Sequence, residues 1–248
     1  MGGVRLTPRI AVVGGGRTGL GISHPVDPNV YLLDGGGELA LIDAGVGLAD
    51  DAILDNVRSL GCDAGRIRHV FVTHAHADHV GGAAGLVDRL GARVYLSEVE
   101  RPAVESGDEV AIGLEKARRI GVYPADYRLR PCTIDVPLRG GERLRCGDLV
   151  VRVIATPGHS AGSVCYLVDT EDGRALFTGD TVFHEGRISL LVAPGSDLLT
   201  MADSVASLGR LGVDALLPGH GLFCLAGGQE HIDLAIRAFD TLLPPPSR

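Results

Sequence analysis

The most reactive stretch of the sequence is a run of four potential metal ligands within six residues, His74-Ala75-His76-Ala77-Asp78-His79. Gathering imidazoles and a carboxylate this densely is costly unless a cation holds them together. Side chains two residues apart in extended backbone point the same way, so we expect His74 and His76 to bind one metal ion. Asp78 and His79 follow where the chain should turn into a helix, and they are expected to face a second metal ion.

Three more candidate ligands follow downstream, each in a glycine-containing turn after an apolar segment. They are His159 in Thr-Pro-Gly-His-Ser, Asp180 in Thr-Gly-Asp-Thr and His220 in Pro-Gly-His-Gly. A single histidine or aspartate in a turn is most often only a turn residue. Because the same local design recurs after several strands, we predict that these side chains converge on one site.

The ordered set of these seven residues resembles the ligand pattern of the metallo-β-lactamase superfamily. The resemblance runs from about residue 29 to residue 221 and includes Ile42-Asp43-Ala44-Gly45, which matches an early strand-end motif of that family. It implies an α/β fold, the four-layer αββα sandwich, in which two mixed sheets are flanked by helices. It also implies that residues 1–248 form a single domain with the metal site at one edge, between the sheets.

The resemblance further implies that two metal ions are each held by three ligands. The first set would be His74, His76 and His159, and the second would be Asp78, His79 and His220. Asp180 would bridge the two ions, and Asp43 would hydrogen-bond near the metal loop and orient it.

The donor atoms themselves indicate the chemistry. Imidazole and carboxylate suit Zn²⁺ and also Fe or Mn, and we expect two divalent ions, most simply zinc. Two cations about 3.5–4 Å apart can share a hydroxide that attacks a carbonyl carbon. We therefore predict a dinuclear metal-dependent hydrolase of an ester, a lactone or a thioester, acting on a small molecule. Asp78 is also a candidate to accept a proton during the reaction.

An iron-dependent oxidoreductase is the alternative, because persulfide dioxygenases of this superfamily use one iron held by two histidines and one aspartate. The complete second-metal set of Asp78, His79 and His220 favours hydrolysis.

Among the hydrolases of this superfamily, glutathione thioesterases carry a basic C-terminal region. In this sequence, Arg237 and Arg248 are the only arginine or lysine residues after His220. Many lactonases carry a tyrosine where Phe183 stands here. Flavodiiron proteins carry glutamate at the position of His76, and zinc β-lactamases usually lack an aspartate at that of Asp180. The substrate therefore stays open.

Two other histidines and one segment are candidate contributors to the site. His184 lies four residues after Asp180 and is a candidate substrate contact or proton donor, although a surface-loop histidine is an equally good interpretation. His24 precedes a strand that should end near the site. Residues 98–120 look helical and charged. The insertion at about 98–128, with Tyr123 and Tyr127, is a candidate cap over the cleft.

A glycine-rich segment near the N-terminus, residues 14–19, satisfies the GxGxxG pattern after an apolar run. A dinucleotide site would need a helix directly after it, and there is no room for one before residue 30. The rest of the chain predicts alternating strands and helices. Predicted strands lie at 30–33, 39–42, 68–73, 94–96, 149–155, 164–168, 175–178 and 215–217, and predicted helices at 51–60, 80–90, 198–211 and 229–242.

Composition narrows the possible partners and surroundings. The net charge is −8 with no block of like charge, which argues against nucleic-acid binding. No apolar run approaches the roughly 20 residues of a membrane helix, and the N-terminus lacks the apolar region of a signal peptide. Five scattered cysteines, none in a CxxC pair, fit reduced thiols in a cytoplasmic protein. A second copy of the chain, in a homodimer, is a candidate partner.

Overall fold

The computed structural model describes residues 2–241 and 244–247, which form two mixed β-sheets packed face to face with helices on both outer faces. Leu242, the expected end of the last helix, and Arg248 lie outside the described residues. The fold is the four-layer αββα sandwich, so the prediction of an α/β sandwich with two mixed sheets is confirmed.

In the part of the chain that the structure describes, the first sheet has seven strands in sequence order. They are β1 (Val4–Arg5), β2 (Ile10–Gly14), β3 (Val30–Asp34), β4 (Leu39–Ile42), β5 (Ile67–Phe71), β6 (Arg93–Ser97) and β7 (Val136–Leu138). The strands β1 to β4 pair antiparallel, whereas β4 to β7 pair parallel. The parallel half needs crossovers, and these crossovers carry the helices of this side of the molecule.

The second sheet, as far as residues 2–241 and 244–247 show it, has five strands in the order β12-β11-β10-β9-β8. They are β8 (Arg143–Cys146), β9 (Leu149–Ala155), β10 (Val164–Thr170), β11 (Gly173–Gly179) and β12 (Ala215–Pro218). The strands β8 to β11 pair antiparallel, and β12 is parallel to β11. The ends of β9, β11 and β12 therefore lead into the turns that carry the downstream candidate ligands.

Within the described residues, seven α-helices accompany the sheets. They are α1 (Asp50–Ser59), α2 (Ala77–Val80), α3 (Ala83–Leu90), α4 (Arg101–Ser106), α5 (Leu114–Arg119), α6 (Leu198–Ser207) and α7 (Gly228–Asp240). The buried apolar residues form three clusters, one between the sheets and one under the helices on each outer face. Central strands are buried on both faces, which explains why they read as continuous apolar runs in the sequence.

Two predicted helices are shorter in the structure. The helical pattern over residues 98–120 becomes the short helices α4 and α5, because Gly107 and Gly113 adopt left-handed conformations with φ of 71° at both residues. The helix predicted over 198–211 ends at Ser207, and Arg210 has a φ of 64° that no α-helix allows.

The glycine-rich segment after β2 forms turns rather than a helix, so the helix N-terminus that would hold a pyrophosphate is missing between β2 and β3. Each of the five cysteines, all within the described residues, has a free thiol. Across the described ranges, every helix is too short or too polar to span a bilayer.

Candidate metal centre

The six-residue run leaves the end of β5 as extended backbone and then enters a helix. His76 has extended torsion angles, with φ of −63° and ψ of 145°, and α2 begins at the next residue. His74 and His76 thus precede the helix, while Asp78 and His79 lie in its first turn. His159, Asp180 and His220 lie in the turns after β9, β11 and β12. The structure brings all seven predicted ligands together at one edge of the sandwich.

The first group consists of His74, His76 and His159. The Nδ1 atom of His76 lies 3.0 Å from Nε2 of His74 and 2.9 Å from Nε2 of His159. The Nδ1 atom of His159 donates to the carbonyl oxygen of Ser189 at 2.7 Å. Because a carbonyl oxygen only accepts, the neutral ring of His159 presents a lone pair at Nε2.

The second group consists of Asp78, His79 and His220. The Nε2 atoms of His79 and His220 are 3.3 Å apart, and Oδ2 of Asp78 lies 3.1 Å from Nε2 of His220. The Nδ1 atom of His79 donates to Oδ2 of Asp43 at 2.8 Å. This hydrogen bond leaves Nε2 of His79 as the atom that faces the group.

Asp180 lies between the two groups. Its Oδ1 atom is 3.5 Å from Nε2 of His79 and 3.7 Å from Nε2 of His220, whereas its Oδ2 atom is 3.6 Å from Nε2 of His159. One carboxylate oxygen therefore faces each group, which is the arrangement that a bridging ligand requires.

The pKa values of the histidines in the buried cluster are shifted in opposite directions. Burial, together with the neighbouring histidines, lowers the pKa of His74 well below its usual value, and burial lowers the pKa of His76 to about 3. Burial also acts to lower the pKa of His79, but Asp43, Asp78 and Asp180 outweigh it and raise that pKa to about 10. Neutral rings thus fill the first group, and a proton on His79 balances the carboxylates around the second.

The donor set fits divalent metal ions. Five imidazoles and two carboxylates converge, and nitrogen and oxygen donors of this kind suit Zn²⁺, Fe and Mn. In the first group, three ring nitrogens meet around one point, and a single proton can satisfy only one of their contacts. Buried lone pairs that face one another are unfavourable unless a cation lies among them.

Asp43 and Thr73 form hydrogen bonds that support the segment carrying the first four candidate ligands, residues 74–79. Asp43 is buried, has a φ of 65°, and accepts hydrogen bonds from the backbone nitrogen of Thr73 at 2.8 Å and from its hydroxyl at 3.0 Å. The same hydroxyl lies 3.0 Å from Nδ1 of His74. The orienting position expected for Asp43 is thus present in the geometry.

Several supporting residues were not identified from the sequence. Thr73 is one, and its position directly before His74 is the only signal that pointed to it. Glu100 is another, and its carboxylate accepts a hydrogen bond from the backbone nitrogen of Ala75 at 2.9 Å. In the glycine-rich segment after β2, the hydroxyl of Thr18 lies 3.3 Å from Nδ1 of His220. None of these contacts has a periodic or motif signature.

The segment predicted as a cap lies beside the cluster. The Tyr123 hydroxyl donates to Oδ1 of Asp78 at 2.9 Å. The ring of Tyr127 stacks on that of Tyr123, with centroids 5.4 Å apart, and its hydroxyl donates to the carbonyl of Val46 at 2.8 Å. A cavity of about 430 Å³ opens from the ligand cluster and continues between this segment and residues 189–193.

The structure does not bring His184 or His24 to this cavity. Glu185 has a φ of 62°, and its backbone nitrogen donates to the ring of His231. The ring of His184 consequently packs 4.4 Å from that of His231, and His184 is not among the described residues that line the cavity. His24 lies in a turn, where its Nδ1 atom accepts from the backbone nitrogen of Val26. His24 is likewise not among the described residues that line the cavity.

Comparison with known proteins gives a consistent result. The family model described as the metallo-beta-lactamase superfamily matches residues 25–220. The chain is 30% identical over 217 residues to an atrochrysone carboxyl ACP thioesterase of Aspergillus fumigatus, covering 87% of this chain and 57% of the relative. It is 32% identical over 130 residues to a hydroxyacylglutathione hydrolase of Rhodopseudomonas palustris, covering 52% of this chain and 40% of the relative.

The chain thus spans about half the length of these curated relatives. Among solved structures, it is similar to a subclass B3 metallo-beta-lactamase of Bradyrhizobium japonicum, with a TM-score of 0.74 and 23% identity. That likeness covers 98% of this chain and 92% of the other. At this identity the likeness shows a shared fold.

Proposed function

The chain belongs to the metallo-β-lactamase superfamily, and on this premise we propose that it is a dinuclear enzyme that hydrolyses an ester, a lactone or a thioester. The observation that carries the proposal is the position of Asp180, whose two carboxylate oxygens face two separate groups of ligands. A site for a single ion would not require the second group of Asp78, His79 and His220.

Each of these residues would have a distinct role in such a dinuclear site. His74, His76 and His159 would hold one ion, and the second group would hold the other, with Asp180 between them. Two zinc ions would supply a nucleophile derived from water and would polarise the scissile carbonyl. Asp43 fixes the ring of His79 through its Nδ1 atom, so that Nε2 faces the site. Asp78 lies at the cavity. Burial acts to raise the pKa of its carboxyl group, but His79 and His220 outweigh burial and hold that pKa well below its usual value, so Asp78 would act as a ligand rather than as a proton acceptor.

The relatives support a thioester as the first substrate to test. The names of both curated relatives describe thioester chemistry, one on an acyl carrier protein and one on a glutathione conjugate. Thioesters need no strong general acid, because a thiolate is a good leaving group. This agrees with the cavity, because His184, the candidate proton donor, is not among the described residues that line it.

Metal analysis of natively expressed protein, combined with a panel of ester, lactone and thioester substrates, tests the proposal. We expect about two zinc ions per chain and turnover of at least one substrate class. One iron per chain, with oxygen consumption on a persulfide, would instead identify an oxidoreductase and overturn the proposal.

A further inference from the structure

The cavity beside the candidate metal centre has two chemically different ends. One end is polar and consists of His76, Asp78, Asp180 and His220. Aliphatic side chains dominate the other end, among them Ile112, Leu114, Ile120, Val122, Leu191 and Val192. The volume of about 430 Å³ falls within the range of small-molecule sites.

The apolar end lies between two walls that contact each other. One wall is formed by residues 112–122 and the other by residues 189–193. The ammonium group of Lys116 donates to the carbonyl oxygen of Val192, and Gly113 packs close to Ala193. The two segments therefore form the sides of one cleft rather than two separate surface loops.

The walls leave apolar side chains accessible. Ile120 is 69% exposed and Leu191 is 46% exposed, although both lie at the rim of a cavity that leads to the ligands. Apolar surface clustered around a cavity commonly marks a ligand site. Because the cavity is continuous with the ligand cluster, its occupant is the part of the substrate joined to the reacting group.

The charges of the cleft argue against a substrate group that is polar and carries several charges. Lys116 is the only charged side chain among the described residues that line the apolar end, and its ammonium group already donates to Val192. A glutathione-like group carries two carboxylates, and each would need a cationic or hydrogen-bonding partner when buried. An uncharged alkyl group needs none.

We propose that the apolar end is a binding subsite for an aliphatic acyl chain attached to the carbonyl carbon of the substrate. The inference rests on the hydrolase function proposed above and narrows the substrates to esters or thioesters of apolar acids. Ile120 and Leu191, on opposite walls, determine the selectivity for chain length.

Two matched substrate series test whether the cleft holds the acyl group or the thiol group of the substrate. In the first, acetyl, hexanoyl and decanoyl thioesters share one small thiol, and we expect kcat/KM to rise about twofold to fourfold per added methylene until the cleft is filled. In the second, acetyl thioesters carry thiols of increasing alkyl length, and we expect little change. A rise in the second series and none in the first would overturn the assignment.

Substitutions on the two walls provide the second test. Ile120→Asn and Leu191→Asn should each lower the ratio of decanoyl to acetyl turnover about tenfold, because a polar group replaces an apolar contact. Val110→Asn is the matched control, since Val110 lies just before the first wall and is 62% exposed but does not line the cavity. An unchanged ratio in both wall variants, or an equal fall in the control, contradicts the subsite.

A binding measurement separates failure of the subsite from failure of the hydrolase function. Calorimetric titration of zinc-loaded protein with acetate and with decanoate should show tighter binding of decanoate, and Ile120→Asn should reduce that preference. If no substrate is hydrolysed but decanoate is preferred, the hydrolase function is overturned and the apolar subsite stands. If thioesters are hydrolysed but decanoate is not preferred, only the subsite is overturned.

Discussion

Tyr123 and Asp78 are joined by a hydrogen bond of 2.9 Å between the phenol and Oδ1, while Oδ2 of the same carboxylate faces Nε2 of His220 at 3.1 Å. The two oxygens of Asp78 therefore have different partners, one from the segment between β6 and β7 and one from the ligand cluster. A phenol held against one oxygen limits rotation of the carboxylate, which leaves the other oxygen aimed at the second group.

Tyr123→Phe should weaken the second metal site, because it removes a charge-assisted hydrogen bond from a nearly buried phenol. We expect about tenfold weaker binding of the more loosely held zinc ion, and a lower kcat with little change in KM. Competition between the protein and a chromophoric chelator measures the affinity. Steady-state kinetics at saturating zinc measure the kinetic effect.

Tyr127→Phe is the control for that experiment. Tyr127 stacks on the same ring and also loses a hydroxyl that donates to a backbone carbonyl, but its hydroxyl does not contact Asp78. It should lower stability without changing zinc affinity. Equal zinc affinities in the two variants would show that Tyr123 acts on packing and not on Asp78.

Asp180→Ala should abolish most activity and release part of the metal. The carboxylate is the side chain with one oxygen towards each ligand group, so its removal takes a ligand from both. We expect fewer than two zinc ions per chain after dialysis and a fall in kcat/KM of at least about a hundredfold. Full activity with both metals retained would show that the bridging assignment is wrong.

Asp43→Asn should affect the second metal more than the first. The carboxylate accepts the Nδ1 proton of His79, and an amide nitrogen in its place would favour a proton on Nε2, the atom that faces the site. Zinc stoichiometry should fall towards one per chain, while Thr73 keeps an acceptor in the amide oxygen. Metal analysis after dialysis against a weak chelator measures the loss. Two retained zinc ions would contradict this role.

The convergence of the seven candidate ligands was predictable because each follows a strand end, and the chain order of those turns matches a family pattern. The connections around the site were less predictable. The break between α4 and α5 depends on left-handed glycines, and it determines where Tyr123 meets Asp78. The orientation of the His184 side chain depends on the left-handed conformation of Glu185. Because glutamate rarely adopts that conformation, nothing in the sequence indicated it.

The metal-free protein should lose stability in mild acid. Burial lowers the pKa of His74, His76 and His159 from 6.5 in the folded chain, so as the pH falls below that value the unfolded state binds more protons. Each of these histidines should then lower the free energy of unfolding by up to about 1.4 kcal/mol per pH unit. His79 acts in the opposite sense, because its raised pKa of about 10 stabilises the fold fully below pH 6.5 and progressively less up to pH 10.

Urea unfolding of chelator-treated protein between pH 5 and pH 9 measures this effect, and we expect maximum stability close to neutral pH. His76→Gln is the informative variant, since it removes one buried histidine whose pKa is about 3. It should reduce the acid slope by about 1.4 kcal/mol per pH unit. A slope identical to that of the parent protein would mean that His76 takes up its proton equally in the folded and unfolded states, and that burial does not hold its ring neutral.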